Sequence, residues 1–325
     1  MRRLSRSGFK KDFVRTAVLP DWWDDTCAEQ RELLPEIEIR VARFLDVRLA
    51  AVRNPGTILA PTQYANARLR RVRDFDRDRL APAIHAALTI GAAVVRSLRE
   101  PRSGPNAIPP DALQWRQQLR LPGRPVALAQ IVADLWAKGI PVVPLDVLPA
   151  PRFQGIACVV EDRPVILLGH RHDEPGRVAF LIAHEAGHVA GGDCLRNQPV
   201  VDEEEVLDDT DIELRADRFA TLALVGQDPP PVVEATSFRE LANSAAVMER
   251  TAGVDAGQTI FAWAARTGDY ATATMAVQAL YRGIGARQLL RQHFEQHVDV
   301  DSASESDRAL LRCVYGDPER DETPR

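Results

Sequence analysis

The sequence predicts an α+β chain in three parts: an all-α N-terminal domain, a small core in which a three-stranded sheet packs on one helix, and a helical C-terminal region. Three observations point there. Proline and glycine punctuate the chain near 101–110 and 229–231. Between these breaks the apolar pattern runs helix, strand, strand, strand, helix, which is the order of a two-layer α+β unit. On both sides of that core the apolar positions recur at helical spacing. The expected boundaries are 1–100 for the first domain, 101–112 for a linker, 113–228 for the core, 229–317 for the helical region and 318–325 for a disordered tail. At 325 residues, 45% hydrophobic and 27% charged, the chain is long enough for two or three cores.

The first domain is basic. Residues 1–103 carry 20 basic and 13 acidic side chains, although the whole chain has a formal net charge of −5. The segment from Val41 to Val52 resembles the core of a helix-turn-helix, with Arg48 and Arg53 on its short second helix. Asp46 stands where such turns commonly carry glycine, and Asn54-Pro55-Gly56 ends the second helix early. A further arginine run supplies Arg70, Arg71 and Arg73. These residues are candidate contacts to duplex DNA. Trp22, Trp23 and Tyr64 offer stacking surfaces for single-stranded DNA, or else serve as core anchors. A helical dock for a protein partner is the alternative use of the whole domain, and the Arg70 run interleaved with Asp74, Asp76 and Asp78 is equally a solvated helix face.

In the core, Ala127 to Lys138 is amphipathic and predicts a helix. Ile140–Leu145, Ile156–Val160 and Val165–Leu168 predict strands, the last two joined at Glu161-Asp162-Arg163 as a hairpin. A helix follows, with Asp173 as its N-cap, Pro175 in its first turn, an apolar run from Val178 to Ile182, and Gly191-Gly192 as its stop. It carries His184-Glu185-Ala186-Gly187-His188, an H-E-x-x-H. Residues four apart lie one turn apart on the same face, so both imidazoles reach one metal ion. Glu185 then lies beside that metal, where a carboxylate can take a proton from water.

An open zinc site needs a third protein ligand, expected from a second helix. Glu213, Ala216, Asp217 and Ala220 share a face in the next helical segment, and the alanines allow close approach. Glu213 is the candidate ligand, and Asp217 the candidate acceptor for a ligating histidine's N–H. Thr210-x-x-Glu213 is also a capping box; in that case the ligand is another acid from 202–211.

These blocks resemble the ImmA/IrrE metallopeptidases: Arg177-Val178-Ala179-Phe180, then His184-Glu185-Ala186-Gly187-His188, then Glu213 with Ala216, Asp217, Phe219 and Ala220, over roughly residues 125–225. The resemblance implies a compact zincin-like metallopeptidase domain with Glu185 as general base and zinc (Zn2+) held by His184, His188 and Glu213. It also implies a protein substrate, a helix-turn-helix repressor of a stress, prophage or mobile-element response. Ala186 departs from the family, where many members carry a larger apolar residue. Two other readings stand beside it: a DNA-binding regulator whose peptidase fold only senses or scaffolds, and a protease toxin of broader range.

His293 and His297 repeat the four-residue spacing, but no glutamate follows the first, and a solvated helix face is expected there. His170, His172, Tyr270 or an arginine are the candidates for stabilising an oxyanion. Cys27, Cys158, Cys194 and Cys313 show no C-x-x-C spacing, which with the lack of a signal-peptide core suits a reduced, cytoplasmic protein. No apolar run approaches the ~20 residues of a membrane span, so no membrane partner is expected.

Overall fold

The computed structural model describes residues 2–59, 74–100, 107–194, 209–281 and 285–314. It is mixed α+β, mostly helical with one small sheet, and it divides into two compact units. The first comprises residues 1–101, 143–170 and 297–325, the second 102–142 and 171–296. The units are interleaved along the chain, whereas the sequence predicts consecutive domains.

In the first unit the chain forms α1 (Arg2–Arg6), α2 (Lys11–Ala17), a 3-10 turn (Asp25–Glu29), α3 (Leu34–Leu45), α4 (Leu49–Arg53) and α5 (Asp74–Arg96). Ile84, Ala86, Ala87, Ile90, Ala93 and Val94 of α5 are all fully buried, so this helix is surrounded rather than half-solvated. Phe9, Phe13 and Phe44 pack with the buried His85 ring of α5; Phe9 meets Phe44 edge-on at 5.2 Å. Burial holds His85 below the usual histidine pKa, against the opposing pull of its bond to the Phe44 carbonyl.

The sheet has strand order β1-β3-β2, with β1 (Val142–Pro144), β2 (Gly155–Val160) and β3 (Arg163–Leu168). β2 and β3 are antiparallel, registered from Gly155 opposite Leu168 to Val160 opposite Arg163. Glu161 and Asp162 form the two-residue connection, both at positive φ (48° and 58°), as the primed turns that match strand twist require. The sequence predicts this sheet against the H-E-x-x-H helix; within the compact units it belongs with α5. The reason is local shape: Gly91 of α5 leaves room for Leu167 and Val160, whose side chains lie 3.2 and 3.6 Å from where a Cβ would sit.

The last helix of the described residues also belongs to this unit. Val298 bridges to Leu98, and the chain then reaches α14 (Glu305–Leu311). Arg40 pairs with Glu305 at 2.6 Å, Arg96 with Asp307 at 2.5 Å and with Glu161 at 2.7 Å, and Arg312 with Asp21. The expected helical region 229–317 is therefore split between the two units. The expected tail, 318–325, lies outside the described residues.

The second unit contains α6 (Ala112–Leu119), α7 (Leu128–Ala137), α8 (Pro175–Ala190), α9 (Asp209–Val225), α10 (Phe238–Ala252), α11 (Ala256–Thr267), α12 (Tyr270–Leu280) and α13 (Ala286–His297). Leu241, Ala245, Ile260, Phe261, Ala264, Ala273 and Val277 form the shared core of α10, α11 and α12. α6 supports α9: Trp115 stacks on Phe219 at 5.6 Å, and the Arg116 guanidinium donates to the Ala223 and Leu224 carbonyls at the C-terminal end of α9. Those carbonyls lack intrahelical donors, so the cation satisfies both hydrogen bonding and the helix dipole.

α8 is gripped at its first turn by α11. A Cβ on Gly176 would lie 2.6 Å from the carbonyl carbon of Gly257, so the two backbones touch, and the Gln258 amide donates to the Gly176 carbonyl at 2.6 Å. Asp173, the expected N-cap of α8, caps another helix. Its carboxylate accepts from the Arg287 N–H at 2.8 Å and its carbonyl from Ala286 N–H, while Glu174 occupies the N-cap position of α8. Pro175 sits at the first helical position, as expected. Gly176→Ala should force this crossing apart and cost about 1–3 kcal/mol. Urea unfolding should show the midpoint lowered at unchanged slope; an unaltered midpoint would mean that the contact contributes nothing.

Candidate metal centre

The apolar run of α8 explains why its two histidines are buried. Val178, Ala179, Ile182, Ala183 and Ala186 are fully buried, so the helix is sunk in the unit and carries His184, Glu185 and His188 inward with it. α9 can then cross closely because Gly187 has no side chain. A Cβ there would lie 3.2 Å from the Ala216 Cα and 3.2 Å from the Phe219 Cβ. That crossing delivers Glu213 to the histidines. The small-residue contact lies on Gly187 as much as on the alanines of α9.

Nε2 of His184 lies 3.1 Å from Nε2 of His188. The Glu213 carboxylate is 3.5 Å from each of them, through Oε2 to His184 and Oε1 to His188. For donors about 2.0–2.2 Å from a tetrahedral ion, the expected separation between donors is about 3.3–3.6 Å. The nitrogens are slightly closer than that, and one ligand atom from each of the three residues lies within 4.8 Å of the others, so the group is compact enough to hold a metal ion. Its members are each no more than 8% exposed. Two neutral imidazoles and one carboxylate are a suitable donor set for a divalent cation, and three protein ligands leave a coordination position open. Among the described residues, Glu213 is the acid grouped with the two histidines.

With Nε2 facing the metal position, Nδ1 carries the ring hydrogen. In His184 it donates to Asp217 Oδ1 at 2.8 Å, as the shared face with Glu213 predicts. In His188 it donates to Asp193 Oδ2 at 3.1 Å, and the other Asp193 oxygen accepts from Arg215 at 2.6 Å. Sequence reasoning missed Asp193 and Arg215. Burial pulls the His184 pKa down, but the hydrogen bond to Asp217 and the carboxylates of Glu185, Asp217 and Glu213 push it up, with a net rise. Burial raises Asp193, but the bonds to His188 and Arg215 outweigh it and hold that carboxyl below the usual range. Glu185 is buried beside His184 on α8.

Among the described residues, His293 and His297 join no group of three potential ligands, and neither does Cys194, which is half-buried past the end of α8. Burial and Arg177 lower the pKa of His172. Arg177 lies over the Tyr270 ring, 5.8 Å from its centre. In the first unit, α3 and α4 form the expected helix pair, turned by Asp46 in the left-handed conformation at φ 51°. Arg48 is exposed, and Arg53 is paired with Glu38 at 2.8 Å. α4 has only 5 residues and its carbonyls at Ala51 and Val52 accept from Arg3. Trp22 is exposed and lies 6.3 Å from the half-buried Trp23. Arg70, Arg71, Arg73 and Tyr64 lie outside the described residues. No helix of the described residues is long and apolar enough to cross a membrane.

If Glu213 completes the donor set, Glu213→Gln should weaken zinc retention by at least about 10-fold, since the charged oxygen is lost while the shape is kept. Competition with a chromophoric chelator measures it, and an unchanged affinity would remove Glu213 from the site. Compared with known proteins, the chain matches no family model, no curated protein and no solved structure.

Proposed function

We propose that the chain is a zinc-dependent metalloendopeptidase. The observation that carries this reading is the buried triangle of His184, His188 and Glu213 with Glu185 beside it on the same helix. Zinc bound there supplies Lewis acidity to the scissile carbonyl and acidity to the attacking water. His184 and His188 present neutral nitrogens, and their ring hydrogens are committed to Asp217 and Asp193. Glu185 accepts the proton of the attacking water and returns it to the leaving amine. Four buried or half-buried carboxylates around two histidines are costly without a cation to balance them, which favours a metal-binding use over a structural one.

The substrate class rests on the resemblance of the three motif blocks to ImmA/IrrE metallopeptidases: a helix-turn-helix transcriptional repressor, cleaved to release genes of a stress, prophage or mobile-element response. The basic segment 1–103, in which Arg48 is exposed beside the α3–α4 pair, is the candidate surface for recruiting DNA or the repressor.

Expression of the wild type and of Glu185→Gln in otherwise identical cells, followed by sequencing of protein N-termini, tests both parts. Glu185→Gln should keep its zinc and lose cleavage by about 100-fold or more, the usual worth of a general base. The cleaved protein should be a repressor. Identical N-termini from both strains would end the peptidase reading and leave a regulator whose metal site senses or scaffolds.

A further inference from the structure

The stop of α8 is built so that it reaches back to one of the metal-facing histidines. Gly191 is the C-cap and Gly192 follows at φ 74°, a conformation glycine adopts without cost. Gly192 N–H donates to the Val189 carbonyl at 3.1 Å and Asp193 N–H to the His188 carbonyl at 3.0 Å. This pair of bonds is a Schellman stop, and its last residue is Asp193. The backbone of Asp193 is thereby fixed to the same residue whose ring its side chain accepts from, at 3.1 Å. Gly191 serves the same arrangement: a Cβ there would lie 3.1 Å from Arg215 Nη2, so its absence admits the guanidinium that holds the second Asp193 oxygen.

The two histidines are backed unequally. Asp217, behind His184, is about one-third exposed, whereas Asp193, behind His188, is 11% exposed and ion-paired. We propose that Asp193, held by Arg215, is a positioning residue for His188. It locks the ring with Nδ1–H outward and Nε2 toward Glu213 and His184, and Arg215 acts on the metal position only through Asp193. The inference rests on the metal-site reading but not on peptidase activity. A carboxylate behind a ligating imidazole fixes its tautomer and raises its strength as a ligand, and losing such a partner typically weakens metal binding. Arg215 serves by orienting that carboxylate through its bond to the second Asp193 oxygen.

The test is a double-mutant cycle on the full chain, read as zinc affinity by chelator competition. Asp193→Ala should weaken zinc binding by about 10–100-fold. Arg215→Ala should weaken it less, and should have no further effect in the Asp193→Ala background, because its route to His188 is gone. Asp193→Asn, whose neutral oxygen still accepts the ring hydrogen, should recover part of the loss. Long-range proton–nitrogen spectra of the metal-free chain give a readout that mere loosening of the fold would not mimic. His188 should be in the Nδ1–H form in the wild type and in Asp193→Asn, and a mixture in Asp193→Ala, with His184 unchanged. Wild-type affinity in Asp193→Ala, or additive losses in the double variant, would overturn the proposal while leaving the metal site standing. A wild type that takes up no zinc would overturn both.

Discussion

The second unit is organised by the close crossing of α8 and α9. Glycine at position 187 lets the backbone of Ala216 approach α8, and that distance decides whether the Glu213 carboxylate reaches the two imidazoles. Other contacts hold the two helices in register. Gly176 fixes the start of α8 on α11, Arg116 caps the end of α9, and Trp115 stacks on Phe219 next to the crossing. A metal site needs its donors held within a few tenths of an ångström, which side chains achieve only when the backbones that carry them cannot slide.

The electrostatics follow from the same burial. Collecting Glu185, Glu213, Asp217 and Asp193 around two histidines in a sunken helix pair works against folding unless positive charge is supplied. Arg215 supplies some of it to Asp193. The rest falls on the histidines, and His184 responds with a raised pKa despite its burial. A divalent cation answers the same imbalance with the imidazoles neutral, so metal and protons compete for one set of atoms.

Much of the centre was legible because its signals are short-range. Four-residue spacing on one helix puts His184 and His188 together, and the face of Glu213, Ala216, Asp217 and Ala220 is readable from period alone. The hairpin at Glu161-Asp162 was equally local. What escaped depends on where the chain goes after an element ends. Asp193 looks like a loop acid in sequence; only the left-handed Gly192 returns it to His188. The signal was present, since a glycine pair one turn past a histidine followed by an acid is a helix stop that can fold back onto that ring. Asp173 has the chemistry of a cap but serves α13, over a hundred residues away, a pairing that no local pattern encodes. The grouping of the sheet with α5, and the return of α14 to the first unit through Arg40, Arg96 and Arg312, are likewise long-range choices set by shape and charge.

Two imidazoles and one carboxylate, from α8 and α9, are proposed to bind a single ion. X-ray absorption at the zinc edge of the loaded full chain tests it most directly. Binding by these groups should give nitrogen and oxygen neighbours at about 2.0–2.2 Å, with an imidazole scattering pattern from two rings that falls to one in His188→Ala. Sulfur at about 2.3 Å, or a spectrum unchanged by His188→Ala, would contradict it.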